Sequence, residues 1–150
     1  MKREACGAPW DLGLFAPSVA RLTHLDTLAL AAEHGYRCLE WRVQTAQSLA
    51  ESPWGPALNA LVFEQLGADT PRLAAHMRQA GLTTAGLQAD IPLERLDAIA
   101  PLLAAAQTLE CRVLRVPTPA FDPAVGYLAQ RDLFRRRLTA WLSAAERAGV

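Results

Sequence analysis

Apolar and polar positions come in blocks along this chain, and the blocks repeat. An apolar stretch of helical length runs into a turn and then into a short apolar strand, several times over. The turns read Ala32-Glu33-His34-Gly35-Tyr36, Arg78-Gln79-Ala80-Gly81-Leu82, Thr108-Leu109-Glu110-Cys111-Arg112 and Arg147-Ala148-Gly149-Val150. Three of the four place glycine where a helix must stop, because glycine enters the left-handed conformation without a Cβ clash. The last turn leads into a strand of which only Val150 is present.

Leu12 to Pro17 reads as a first strand. It does not alternate, so it is expected to be buried, and a proline ends it. A first helix follows from about Leu25 to His34, with Thr23 or Asp26 as its cap. Tyr36 to Trp41 is the second strand. An irregular connection from Arg42 to about Ala57 holds the breakers Ser52-Pro53 and Gly55-Pro56, and a short helix is expected over Leu58 to Leu66. Asp69-Thr70-Pro71-Arg72 is a helix start, a capping side chain standing before a proline whose missing N–H costs nothing in a first turn.

That helix runs to Ala80. The third strand is Leu82 to Ala89, closed by Asp90-Ile91-Pro92. A third helix spans Leu93 to Thr108, with Pro101 either splitting it or opening its main part. Arg112 to Val116 is the fourth strand, Thr118 to Val125 a loop, and Tyr127 to Ala148 the last helix.

The order is therefore strand-helix four times and one residue of a fifth strand, which predicts an α/β fold with a parallel sheet. A doubly wound nucleotide-binding sheet needs a glycine-rich loop after its first strand, and Ala16-Pro17-Ser18-Val19 stands there instead. A barrel of ~250 residues spends about 31 on each unit, so this chain holds a little under five. The prediction is a half TIM barrel of about four βα units, one partial domain over residues 1–150 with a flexible segment at 1–11. The chain ends at the start of strand five, so site residues on later strands lie beyond Val150.

Composition adds mainly exclusions. With 51% hydrophobic residues the chain is long enough to bury a core. Fifteen basic residues balance fifteen acidic ones, which gives no sign of nucleic acid or an anionic membrane as partner. Cys6, Cys38 and Cys111 are scattered without metal or redox spacing and read as free thiols in a reducing compartment. Met1-Lys2-Arg3-Glu4 opens no signal peptide, and no uncharged apolar stretch approaches about 18 residues. A soluble cytoplasmic protein is expected.

Three passages resemble the xylose isomerase-like TIM barrels, a group that includes sugar phosphate isomerases and epimerases. Residues 31–40, Ala-Ala-Glu-His-Gly-Tyr-Arg-Cys-Leu-Glu, are similar to the family's run from helix one through strand two. Residues 77–87, from Met77 through Gly81-Leu82 to Gly86-Leu87, are similar to its passage into strand three. Residues 102–116, ending Arg112-Val113-Leu114-Arg115-Val116, are similar to its passage into strand four. Glu110 departs from the pattern, standing where the family usually has glycine.

The resemblance implies the N-terminal half of such a barrel. It also implies a divalent metal (Mn, Mg, Co or Zn) that holds vicinal oxygens of a sugar or hydroxyketone while carboxylates move protons between adjacent carbons. The ligands it implies, Glu, Asp, His and Glu, lie on later strands, beyond Val150, so the chain by itself is expected to be inactive. The DNA-repair branch uses histidines from early strands, where this chain offers Glu40 and Gln88.

Glu40 is the leading catalytic candidate. It ends an apolar strand on the face where such barrels bind substrate, and its carboxylate can accept hydroxyl hydrogens or exchange a proton. An ion pair with Arg37, Arg42 or Arg115 is the plainer alternative. Gln88 and Asp90 end the third strand and are candidates for binding substrate, with Asp90 equally able to cap the next segment. Arg115, if it points inward, needs a carboxylate or a substrate phosphate.

Phe15 and Trp41 are candidate apolar walls for a sugar ring, although such residues at strand ends are commonly core. His24, His34 and His76 lack ligand spacing and read as packing or surface residues. In Arg131 to Arg137 the arginines lie opposite an apolar stripe of Leu133, Phe134, Leu138, Trp141 and Leu142 and are expected to be solvated. The rival reading is a non-catalytic half barrel whose two open edges pair with a second copy, as a binding module or a remnant.

Overall fold

A computed structural model describes residues 12–53 and 55–150; the expected flexible segment at 1–11 lies outside them. Five strands form one parallel sheet: β1 Gly13–Phe15, β2 Cys38–Gln44, β3 Leu61–Val62, β4 Thr83–Ala89 and β5 Leu114–Arg115. The order is β1-β2-β4-β5, with β3 pairing the far end of β2 at Val43↔Leu61 and Gln44↔Val62. Helices are α1 His24–Glu33, α2 Ala46–Ala50, α3 Leu66–Ala80, α4 Ile99–Thr108 and α5 Tyr127–Ala148. The four longer ones pack side by side in the order α1, α3, α4, α5. Strand-helix alternation thus builds the parallel sheet that the sequence predicts.

The second strand is longer than expected. It runs on to Gln44 because Leu39, Trp41 and Val43 fill alternate positions of the core, and period-two burial keeps the chain extended. The helix expected over Leu58 to Leu66 is absent. Leu61 and Val62 are extended and paired to β2, and a single 3₁₀ turn, Phe63–Gln65, leads into α3. The irregular connection instead contains the short α2, whose N-terminus is capped by Thr45 Oγ1 accepting from the Ser48 N–H at 3.0 Å.

α3 begins three residues before Asp69, so Pro71 lies inside it rather than in its first turn. The Thr70 hydroxyl donates to the Leu66 carbonyl at 2.7 Å, and the early start brings Leu66 onto the buried face with Leu73 and Met77. Leu93 to Arg95 are not helical; α4 opens at Ile99, with Pro101 in its first turn as the second of the two expectations had it. Both expected caps of α1 act together: Thr23 Oγ1 accepts from the Asp26 N–H and donates to its carboxylate.

The turns between units share one geometry. Gly35, Gly81 and Gly149 adopt φ of +78°, +68° and +72°, and Glu110 holds the same left-handed turn at +54° without being glycine. One face of the sheet is largely apolar, with Thr84 its polar exception. Leu14, Leu39, Trp41, Val43, Leu61, Leu87 and Ala89 pack there against Leu28, Leu73, Met77, Leu102, Ala106 and Trp141 of the helices. The opposite face carries charged and polar side chains.

Candidate functional site

Parallel register sets that second face in rows. Phe15, Glu40 and Gly86 stand side by side on β1, β2 and β4; one step further along, Arg42, Gln88 and Arg115 align on β2, β4 and β5. Asp90 follows Gln88 just past the end of β4. A register shift between Leu39 and Glu40 brings Gly86 opposite Glu40, and such irregularities commonly re-aim side chains beside sites.

Two ion pairs organise the face. Arg115 Nη1 donates to Glu40 Oε1 at 2.5 Å. These residues come from β5 and β2, with β4 between them, so their side chains meet over the intervening strand. Gly86 leaves that space open: a Cβ there would lie 3.5 Å from Glu40 Cγ and 3.8 Å from Cδ. The second pair is tighter. Asp90 Oδ2 accepts from Arg42 Nε at 2.6 Å and also from Nη2, while its Oδ1 accepts from Gln88 Nε2 at 3.1 Å. Among the described residues the buried Gln88 Oε1 has no hydrogen-bond partner.

Glu40, Gln88, Asp90 and Arg115 are therefore brought together on one face, and Phe15 lies beside Glu40. Glu40 sits in the middle of β2 rather than at its end, because the strand continues through Val43. Of the three arginines the sequence offered to Glu40, Arg115 is the one that takes it. Trp41 is corrected: it is fully buried on the other side of the sheet, where Nε1 meets Met77 Sδ at 3.3 Å and the His24 ring stands edge-on at 5.5 Å. The alternation that turns Glu40 and Arg42 to one face turns Trp41 to the opposite one. Arg42 was named in the sequence only as a possible partner of Glu40. The signal for its own place was the period of two from Glu40 to Arg42.

The other candidates stay outside the face. His24 opens α1 against Trp41, and its pKa is lowered by burial, partly offset by the Asp69 charge and a hydrogen bond with the Asn59 backbone. Burial likewise pushes the Cys111 thiol up, which leaves it a poor nucleophile. Phe134, Leu138 and Trp141 pack onto the core while Arg135 and Arg136 are exposed; Arg137 pairs with Glu94. Among the described residues no helix is long and apolar enough to cross a membrane.

No family profile matches the sequence, and no curated protein matches it either. Solved structures do. The probable 3-DHS dehydratase AsbF of Bacillus anthracis, involved in petrobactin synthesis, matches with a TM-score of 0.68 at 13% identity, over 94% of this chain and 50% of that one. A xylose isomerase domain protein of Alicyclobacillus acidocaldarius matches at 0.61 and 20% identity, over 93% and 47%. The fold is half of a TIM barrel. An uncharacterised protein of Parabacteroides distasonis agrees at 0.58 and 15% identity, over 94% and 50%. The chain spans about half the length of these structures. In such a barrel the helices form the outer ring, so the face bearing Glu40 and Arg115 is the interior.

A metal is tested by the donors at hand. Among the described residues no three His, Cys, Asp or Glu side chains cluster as ligands, and both interior carboxylates already hold a guanidinium. These residues do not form a metal site.

Proposed function

We propose that this half barrel supplies the substrate-binding side of a sugar phosphate isomerase or epimerase-like site. The reaction is metal-assisted proton transfer between adjacent carbons of a ketose or hydroxyketone, in cytoplasmic carbohydrate metabolism. One observation carries the reading: a polar interior face, with carboxylates, guanidiniums and the Gln88 amide in two rows, backed by a largely apolar one. Vicinal hydroxyl and carbonyl oxygens need donors and acceptors side by side, and the Glu40–Arg115 and Arg42–Asp90–Gln88 groups offer both.

In this reading Glu40 is the acid/base candidate and Arg115, Gln88 and Asp90 orient the substrate oxygens. Phe15 supplies the apolar flank of the lower row. The divalent metal belongs to the half of the barrel that these residues do not form. The test is proton exchange in deuterated buffer, followed by NMR, for dihydroxyacetone and a panel of ketoses with Mn²⁺ or Mg²⁺ added to the 150-residue chain. Binding without exchange is expected. Metal-dependent epimerisation by this chain alone would overturn the division of labour, and absence of any binding would overturn the site.

A second reading has its own observation. Large exposed apolar residues stand at both ends of the sheet: Leu12 just before β1, and Val113 just before β5 with Tyr127, Leu128 and Leu142 on α5. The end helices α1 and α5 each have one main-helix neighbour. Two copies joined β1 to β5 would cover both ends and close an eight-unit ring, which suits a non-catalytic binding module.

A further inference from the structure

The two central strands are out of step by one residue. Leu39 pairs with Thr84 and Glu40 with Gly86, which leaves Ala85 of β4 unmatched on β2. That extra residue decides what the rest of β4 presents. Without it Glu40 would stand opposite Ala85 and Arg42 opposite Leu87, because a slip of one residue turns every later side chain to the other face. Leu87 would then enter the interior, and Gln88 would turn into the apolar layer.

Met77 of α3 lies against this irregularity from the helix side. Its Sδ accepts from Trp41 Nε1 at 3.3 Å and from Thr84 Oγ1 at 3.4 Å. Thr84 stands just before the shift on β4 and Trp41 just after it on β2. The two bonds therefore straddle the shift and hold both strands to one atom. Trp41 is fully buried and Met77 is 3% exposed. Among the described residues the indole N–H has no other acceptor, and a buried donor left unpaired is costly. Methionine is commonly a gap-filler in cores, a role that leucine would serve as well.

We infer that Met77 is a positioning residue for the interior face: its thioether, held by donors from both central strands, fixes the register that sets Gly86 against Glu40 and Gln88 beside Arg42. It acts from the opposite side of the sheet, through Trp41 and Thr84. That the rows so aligned form a substrate site rests on the proposed function; the tether does not.

The chain has two methionines, Met1 and Met77. Replacing methionine by norleucine during expression therefore exchanges the Met77 sulfur for a methylene of nearly the same shape. Hydrogen exchange read by NMR is the measurement. With norleucine, exchange at Gly86, Leu87 and Gln88 is expected to quicken about tenfold, as loss of a buried hydrogen bond allows. The Trp41 indole proton is expected to move upfield, while amides of α5 stay within about twofold. Thr84→Val removes one donor and should have the same effect on a smaller scale. Selenomethionine keeps an acceptor and should behave as the native chain. Dihydroxyacetone binding should weaken several-fold in the norleucine chain.

Equal exchange at Gly86 to Gln88 in the methionine and norleucine chains would overturn the inference. So would a uniform rise across all elements, which marks lost stability rather than lost register. Failure of the unaltered chain to bind dihydroxyacetone would remove the proposed function and leave the tether to be judged by exchange.

Discussion

At the scale of single residues, backbone conformation and open space explain more than side-chain identity. Glu110 occupies a left-handed turn that glycine fills in the other three units, and a side chain in that conformation costs about 1 kcal/mol or more. Its ion pair to Arg78, at 4.0 Å, is exposed and contributes little. Glu110→Gly is therefore expected to raise stability by roughly 0.5–1 kcal/mol, allowing for the extra freedom of glycine in the unfolded chain, as measured by the midpoint of urea unfolding. Gly86 is the converse case. Alanine fits there at ordinary contact distance, whereas Gly86→Leu is expected to displace Glu40 and cost about 1–3 kcal/mol as overpacking does. The same urea series, with Gly86→Ala as control, checks it. The sequence made the departure at Glu110 visible, because three glycines at equivalent turns set the rule. It did not reveal that Glu40 and Arg115 meet across a third strand, because that depends on register, and the shift beside Glu40 has no local signature.

At the scale of elements, most boundaries were legible where punctuation was strong. Thr23, Gly81 and Gly149 mark helix ends that the structure keeps. The failures share a cause. Around Pro71 and over Leu58 to Leu66, long-range burial of Leu61 and Leu66 against the sheet overrode the local signals for a later helix start and for a helix. Asn59 shows how tightly that region is held. It is buried, and its amide donates to the carbonyls of Ala16 and Val19 and to the Thr27 hydroxyl, tying the turn after β1 to α1.

His24, at the start of α1, gives the region a pH dependence. Burial lowers its pKa, so the unfolded chain binds a proton more readily than the folded one, and stability is full when both forms are neutral. It falls as pH drops below the ordinary imidazole value of about 6.5, with a slope of no more than about 1.4 kcal/mol per pH unit. His24→Phe, which keeps a ring against Trp41, is expected to flatten that part of a stability profile. An unchanged slope would place the proton elsewhere.

At the scale of the whole molecule, the half barrel leaves two ends and one interior face to be covered. The parallel order and the strand-helix repeat were readable from spacing alone, and the solved structures agree in fold while being about twice as long. The proposed function rests on the interior face. Its charges are balanced within itself, Glu40 against Arg115 and Asp90 against Arg42, so it can rest without a ligand and still present donors and acceptors. If two copies close the ring, sedimentation velocity will give a tight dimer; a monomer that retains its fold would set that reading aside. The central claim is that substrate meets this interior face, and it is tested most directly by an NMR map of the 150-residue chain titrated with dihydroxyacetone phosphate. The account predicts shifts centred on Phe15, Glu40, Gly86, Gln88, Asp90 and Arg115. Shifts confined to the outer helices, or to the groove lined by Pro92, Pro117, Pro119 and Phe134, would contradict it.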